Sequence, residues 1–104
     1  MDIKLYRVIA TPTAHREIIR IYEYILNDLK AEQAAERMLE LIENEIEILE
    51  YMPKMHMKIE KFDEAKSQYR RTIIKNYVLL YTIDEENGIV YVSNIYYNKR
   101  NYLK

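Results

Sequence analysis

The side chains able to do chemistry are unevenly spread along these 104 residues. Lys54, Lys58, Lys61, Lys66, Arg70, Arg71 and Lys75 recur through one stretch, and Lys99, Arg100 and Lys104 close the chain. Cations clustered in this way meet phosphates or the carboxylates of a partner. The aromatic residues are eleven Tyr and one Phe, with no Trp, so nearly every ring is amphipathic. His15 and His56 are too isolated to form a metal motif and read as surface residues. With no Cys, a disulfide scaffold, a thiolate zinc site and a cysteine nucleophile are all excluded.

The net charge of −1 hides a split. Residues 1–53 hold six Lys or Arg against eleven Asp or Glu, whereas residues 54–104 hold ten against six. Most of the acid lies between Glu32 and Glu50, spaced as the solvated side of a helix. With 49% hydrophobic residues the chain is too apolar for disorder, and with one Gly and two Pro it is too poor in turn formers for a sandwich of many hairpins. Its length supports one domain over residues 1–104. The longest apolar run is a few residues, and MDIKLYRVIA mixes charged with apolar groups. The expectation is a soluble cytoplasmic domain with no signal peptide or membrane span.

The elements that must position the cations follow from periodicity. Ile3, Leu5 and Ile9 alternate with Lys4, Tyr6 and Val8 as in a strand. Thr11-Pro12 is a cap and first-turn pair, and Ile18, Tyr22, Ile25 and Leu29 follow at helical spacing, predicting a helix over 12–28. After a break near 29–31, Ala35, Met38, Leu39, Ile42, Ile46 and Leu49 form a second stripe that Pro53 stops. So short a link makes the two helices an antiparallel hairpin. Residues 55–67 read as a loop or a short, poorly defined strand. Strands over 69–74 and 77–83 flank Lys75-Asn76, where Asn76 tolerates a left-handed turn, and Asn87-Gly88 joins the second of them to a strand over 89–96. Tyr77, Leu79, Tyr81 and Ile83 share one side of their strand, and Val78, Leu80 and Thr82 the other; the pattern leaves open which side is covered. The order β-α-α-β-β-β is an α+β fold with a long helical hairpin on one face of a small, mainly antiparallel sheet.

Two stretches resemble a known family. Tyr69-Arg70-Arg71-Thr72-Ile73-Ile74-Lys75-Asn76-Tyr77-Val78-Leu79-Leu80-Tyr81-Thr82-Ile83-Asp84 is similar to the core signature of the RelE/ParE toxins of type II toxin–antitoxin modules, also called plasmid stabilisation proteins. Ile95-Tyr96-Tyr97-Asn98-Lys99-Arg100-Asn101-Tyr102 looks like the family's terminal motif, with Tyr97 where many relatives carry His and Lys75 where many carry Gly. The resemblance spans essentially the whole chain and supplies the expected strand order. It implies a growth-inhibiting toxin neutralised by a cognate antitoxin, whose C-terminal segment wraps it in a hetero-oligomer.

Two activities are implied. RelE-like members are metal-free mRNA endoribonucleases working on the ribosome, and ParE-like members poison DNA gyrase. The pI near 6.1 and the long hairpin lean toward the gyrase inhibitor. Metal-free RNA cleavage needs phosphate stabilisation and proton transfer. By family position Arg71 and Arg100 would clamp phosphate, and Tyr97 or Tyr102 would transfer a proton or stack on a base, provided these side chains converge on one sheet face. Lys58, Lys61, Lys66, Arg70, Lys75 and Lys99 would receive nucleic acid or an acidic antitoxin. The competing readings are an Arg71 that pairs with an acid across the sheet, tyrosines that form an amphipathic core edge, and a solvated basic loop. No metal, cofactor or membrane is expected. A third possibility is a protein-binding module without toxicity.

Overall fold

The computed structural model describes residues 5–56 and 69–98. Strand β1 (Arg7–Ala10) leads into helix α1 (Pro12–Glu23), a single π-helical turn (Tyr24–Asp28) and helix α2 (Glu32–Tyr51). A short 3-10 turn (Pro53–Met55) precedes β2 (Arg70–Ile74), β3 (Tyr77–Asp84) and β4 (Ile89–Tyr97). The sheet runs β1-β4-β3-β2, with β1 parallel to β4 and the remaining pairs antiparallel.

Local chemistry explains the element boundaries. Thr11 caps α1, its hydroxyl oxygen accepting the Ala14 N–H at 3.1 Å, and Pro12 occupies the first helical position, where a missing N–H costs nothing. The helical stripe expected over 12–28 therefore forms, but its last turn widens so that Leu29 N–H reaches back five residues to Tyr24. Lys30, in the left-handed region at φ 53°, then ends the segment where glycine is more usual. Between β2 and β3 the left-handed residue is Lys75, at φ 57°, and not the Asn76 expected from its side chain. Gly88, at φ 67°, serves the β3–β4 turn, in which the Asp84 carboxylate accepts both the backbone and side-chain N–H groups of Asn87.

Both helices pack on one face of the sheet. Ile21, Ile25, Ala35, Met38, Ile42 and Leu49 meet Ile74, Leu79, Tyr81, Val90, Val92 and Ile95 in one core. This decides what the β3 pattern leaves open: the Tyr77, Leu79, Tyr81 and Ile83 side is the covered one. Val8 of β1 and Tyr6 just before it face the core, while Leu5 is exposed. On α2, Glu32, Glu36, Glu40, Glu43 and Glu47 are exposed, the solvated stripe that their spacing predicts. No helix among the described residues is long and apolar enough to cross a membrane.

Candidate functional site

Arg70 and Arg71 are neighbours in sequence and point to opposite faces, as the two-residue period of a strand requires. Arg70 pairs with Tyr81 in register and lies on the helix side. Its guanidinium donates to the carbonyls of His56 at 2.7 Å and Lys54 at 3.2 Å. These bonds commit Arg70 to the backbone that follows α2. Arg71 pairs with Leu80 and is exposed on the second face, away from the helices.

The segment that Arg70 holds is fastened by three more contacts. The Tyr81 hydroxyl donates to Pro53 O at 2.6 Å. His56 Nε2 lies 2.8 Å from Glu45 Oε2 on α2, with its ring edge-on to Tyr81. Lys54 Nζ lies 2.6 Å from Glu85, whose other oxygen accepts the Tyr6 hydroxyl at 3.0 Å. The hydrogen bond and charge of Glu85 raise the Lys54 ammonium above its ordinary range, and burial together with Glu85 raises the Tyr6 phenol. Tyr81 has no exposed surface, and burial pushes its phenol up to about 12. It is a structural donor, held protonated at neutral pH.

Tyr97 pairs with Tyr77 across the β3–β4 ladder and so belongs to the helix side of the sheet, at its rim. The residue is 54% exposed, and its ring meets Tyr77 edge-on at 5.7 Å. Burial raises the Tyr77 phenol, and neighbouring Tyr24 and Tyr97 add to the shift. Arg71 and Tyr97 therefore do not converge; the sheet separates them. Lys75 lies in the β2–β3 turn, at the mouth of a cleft between α2 and the edge strand β2. One part of the cleft, about 380 Å³, is lined by Leu41, Glu45, Ile48, Ile73 and Lys75, and an adjoining part, about 210 Å³, by Ile25, Arg37, Met38, Leu41, Lys75 and Tyr77. Arg100, Tyr102, Lys58, Lys61, Lys66 and Lys99 lie outside the described residues. Among the described residues no three His, Asp or Glu side chains gather as a metal site.

The second face also carries residues that pattern reading did not single out. Rows across the sheet place Asn94 beyond Leu80 from Arg71, and Tyr96 beyond Val78 from Ile73. Strict alternation along β4 puts Asn94 and Tyr96 on the other side; only a break in register brings them here. Val78 shares this face and is 3% exposed.

Comparison with known proteins matches this arrangement. Solved structures of toxin–antitoxin systems share the fold, three of them as follows. A chromosomal ParDE toxin–antitoxin system from P. aeruginosa superposes with a TM-score of 0.73 at 10% identity, covering 92% of this chain and 99% of that one. The RelBE2 toxin–antitoxin complex from Mycobacterium tuberculosis gives 0.64 at 22% identity, covering 93% and 98%. An archaeal RelE–RelB complex from Pyrococcus horikoshii gives 0.63 at 14% identity, covering 92% and 98%. No curated protein matches the chain in sequence. The family model described as the ParE toxin of the type II toxin–antitoxin system, parDE, matches residues 8–102, and on that match the chain belongs to the ParE toxin family of type II toxin–antitoxin systems.

Proposed function

We propose that this protein arrests growth when free of a cognate antitoxin, and that it acts on a protein target in the manner of the gyrase-directed members of its family. The observation that carries this reading is the division of Arg71 and Tyr97 between the two faces of the sheet. A metal-free nuclease needs its phosphate clamp and its proton-transfer group within reach of one scissile bond. Arg71 lacks Tyr97 as that partner, Tyr81 is buried, and the tyrosine that does share its face, Tyr96, stands two strands away on β4. The match to the ParE family supports the same choice.

The cleft between α2 and β2 suits the antitoxin. It is apolar along Leu41, Ile48 and Ile73, has Lys75 and Arg37 on its walls, and runs beside an edge strand. An amphipathic segment with acidic flanks would bury its apolar side there, and its affinity would fall with salt. The site of action is the cytoplasm, where such a target resides.

The test is induction of the protein without a partner, following growth, DNA morphology and mRNA ends. Filamentation with DNA breaks and intact messages is the expected outcome. Codon-phased cuts in translated messages, lost in Arg71→Ala and Arg100→Ala, would instead establish the ribosome-dependent endoribonuclease. No growth effect from well-folded protein would leave a non-toxic binding module.

A further inference from the structure

Val90 and Val92 of β4 face the helices. Continuing by twos would bury Asn94 and Tyr96 and turn Ile95 and Tyr97 toward Arg71. Instead the register with β3 shifts between Leu80 and Tyr81: Tyr81 pairs with Val92 and Leu80 with Asn94, so Ser93 is an extra residue, a β-bulge. Beyond it Ile95, 1% exposed, joins the core, and Asn94 and Tyr96 stand on the face of Arg71.

Two side chains of the α1 region grip this irregularity. β1 ends where Ala10 meets Val92, so the rest of β4 has lost its neighbour on that side. Thr11 donates its backbone N–H to Val92 O at 2.9 Å and its hydroxyl to Ser93 O at 3.0 Å. Glu17 accepts the Ile95 N–H at 2.8 Å. A carboxylate on a backbone N–H is a charge-assisted bond, and it occupies a donor that an added strand would need.

We propose that Glu17 is a positioning residue: by holding the Ser93 bulge it assigns Asn94 and Tyr96, and not Tyr97, to the face of Arg71, where the three side chains contact a carboxylate-bearing segment of the toxin's protein target. The target half of this statement rests on the toxin reading above; the positioning half does not. The chemistry of the face favours a protein. Its described charged residues are Arg71 and, in one row across Ile89 at the other end, Arg7 and Asp84, set among Ile9, Ile73, Leu80 and Tyr91. Nucleic-acid binding draws on many phosphate contacts. Two guanidinium groups separated by apolar and aromatic side chains match isolated carboxylates in an apolar peptide.

The test has two arms. In purified protein, amide exchange at Ile95 and cross-strand contacts between Asn94 and Leu80 report the bulge. Glu17→Ala speeds Ile95 exchange by about tenfold or more, whereas Glu17→Gln, which keeps an acceptor oxygen, restores most of the protection. An Ile95 amide equally protected in Glu17→Ala overturns the positioning role. In the induction assay, Tyr96→Ala and Asn94→Ala relieve growth arrest at least about tenfold more than Tyr97→Ala, each checked for folding by thermal melting. The reverse order overturns the assignment. Message cuts lost in Tyr96→Ala would put RNA on this face and refute the protein target. A wild-type protein that causes no arrest overturns the target half and the toxin reading together, while the exchange arm still decides the role of Glu17.

Discussion

Tyr81→Phe removes one oxygen from the middle of the structure and should produce two separable effects. The hydroxyl has no exposed surface and donates to Pro53 O at 2.6 Å. Its loss leaves a carbonyl in a buried setting without that donor, a cost of about 1–2 kcal/mol. In a domain of this size that lowers the melting temperature by about 5–10 °C. The second effect is on alkaline stability. In the folded state burial pushes the phenol up from 10.0 to about 12. The unfolded chain therefore loses this proton first as the pH rises. The stabilisation is fully present below about pH 10, falls as the pH climbs and is gone above about 12, with a total near 2–3 kcal/mol.

Urea unfolding of the wild type and Tyr81→Phe at neutral pH and at a series of alkaline values measures both effects. The chain holds ten other tyrosines, so the difference between the two proteins isolates Tyr81. The variant should begin less stable, and the gap should narrow as pH rises and close or reverse by about pH 12. A gap that stays constant through the alkaline range would refute the buried, proton-retaining phenol. A variant as stable as the wild type at neutral pH would refute the bond to Pro53.

Leu49→Ala, at a fully buried α2 position against the sheet, should destabilise by about 2–5 kcal/mol in urea unfolding while leaving the identity of the target unchanged. His56→Ala removes the imidazole that bridges Glu45 and packs edge-on to Tyr81, and should cost about 1–2 kcal/mol by the same measurement. Lys54→Ala breaks a short but solvent-exposed ion pair with Glu85 and should shift the melting temperature too little to measure. Ile48→Asp, on the α2 wall of the α2–β2 cleft, should weaken capture of a co-expressed antitoxin at least about tenfold with the fold retained, read by co-purification.

Much of the fold is legible in the sequence because its strongest signals are periodic. Both helical stripes, the Thr11-Pro12 start, the Asn87-Gly88 turn and the three C-terminal strands follow from spacing and turn chemistry alone. The failures share a cause: each is a local irregularity that tertiary contacts impose. The π-helical turn at Tyr24–Asp28 and the left-handed Lys30 and Lys75 have no composition signal, since Lys gains nothing from positive φ. The candidate site was legible in part. Arg71 stands exposed on β2. Tyr97 was placed beside it by the terminal motif, and one extra residue at Ser93 sends it to the other side. A bulge is invisible to alternation until the buried Ile95 is known.

The two arginines show how one strand divides its chemistry. Arg70 spends its guanidinium on two backbone carbonyls of the segment after α2, and Tyr81, Glu45 and Glu85 hold Pro53, His56 and Lys54 of the same segment from β3, α2 and the β3–β4 turn. This fastening explains why tyrosine is favoured over phenylalanine at this core position. A phenylalanine at position 81 would fill the same space and leave the Pro53 carbonyl without its donor; a tyrosine fills it and ties β3 to the chain that must return from α2 to β2. Tyr6 repeats the device at the other end, through Glu85. With Arg70 and these phenols fixing the helix side, Arg71 is left exposed on the second face, which it shares with Asn94 and Tyr96. The net charge of −1 is thus no obstacle to an anionic partner. The acid lies along the solvated stripe of α2, and the exposed cation of β2 stands on the opposite side of the sheet, where the intervening protein and the Debye length of about 8–10 Å weaken the influence of that stripe on a carboxylate approaching Arg71.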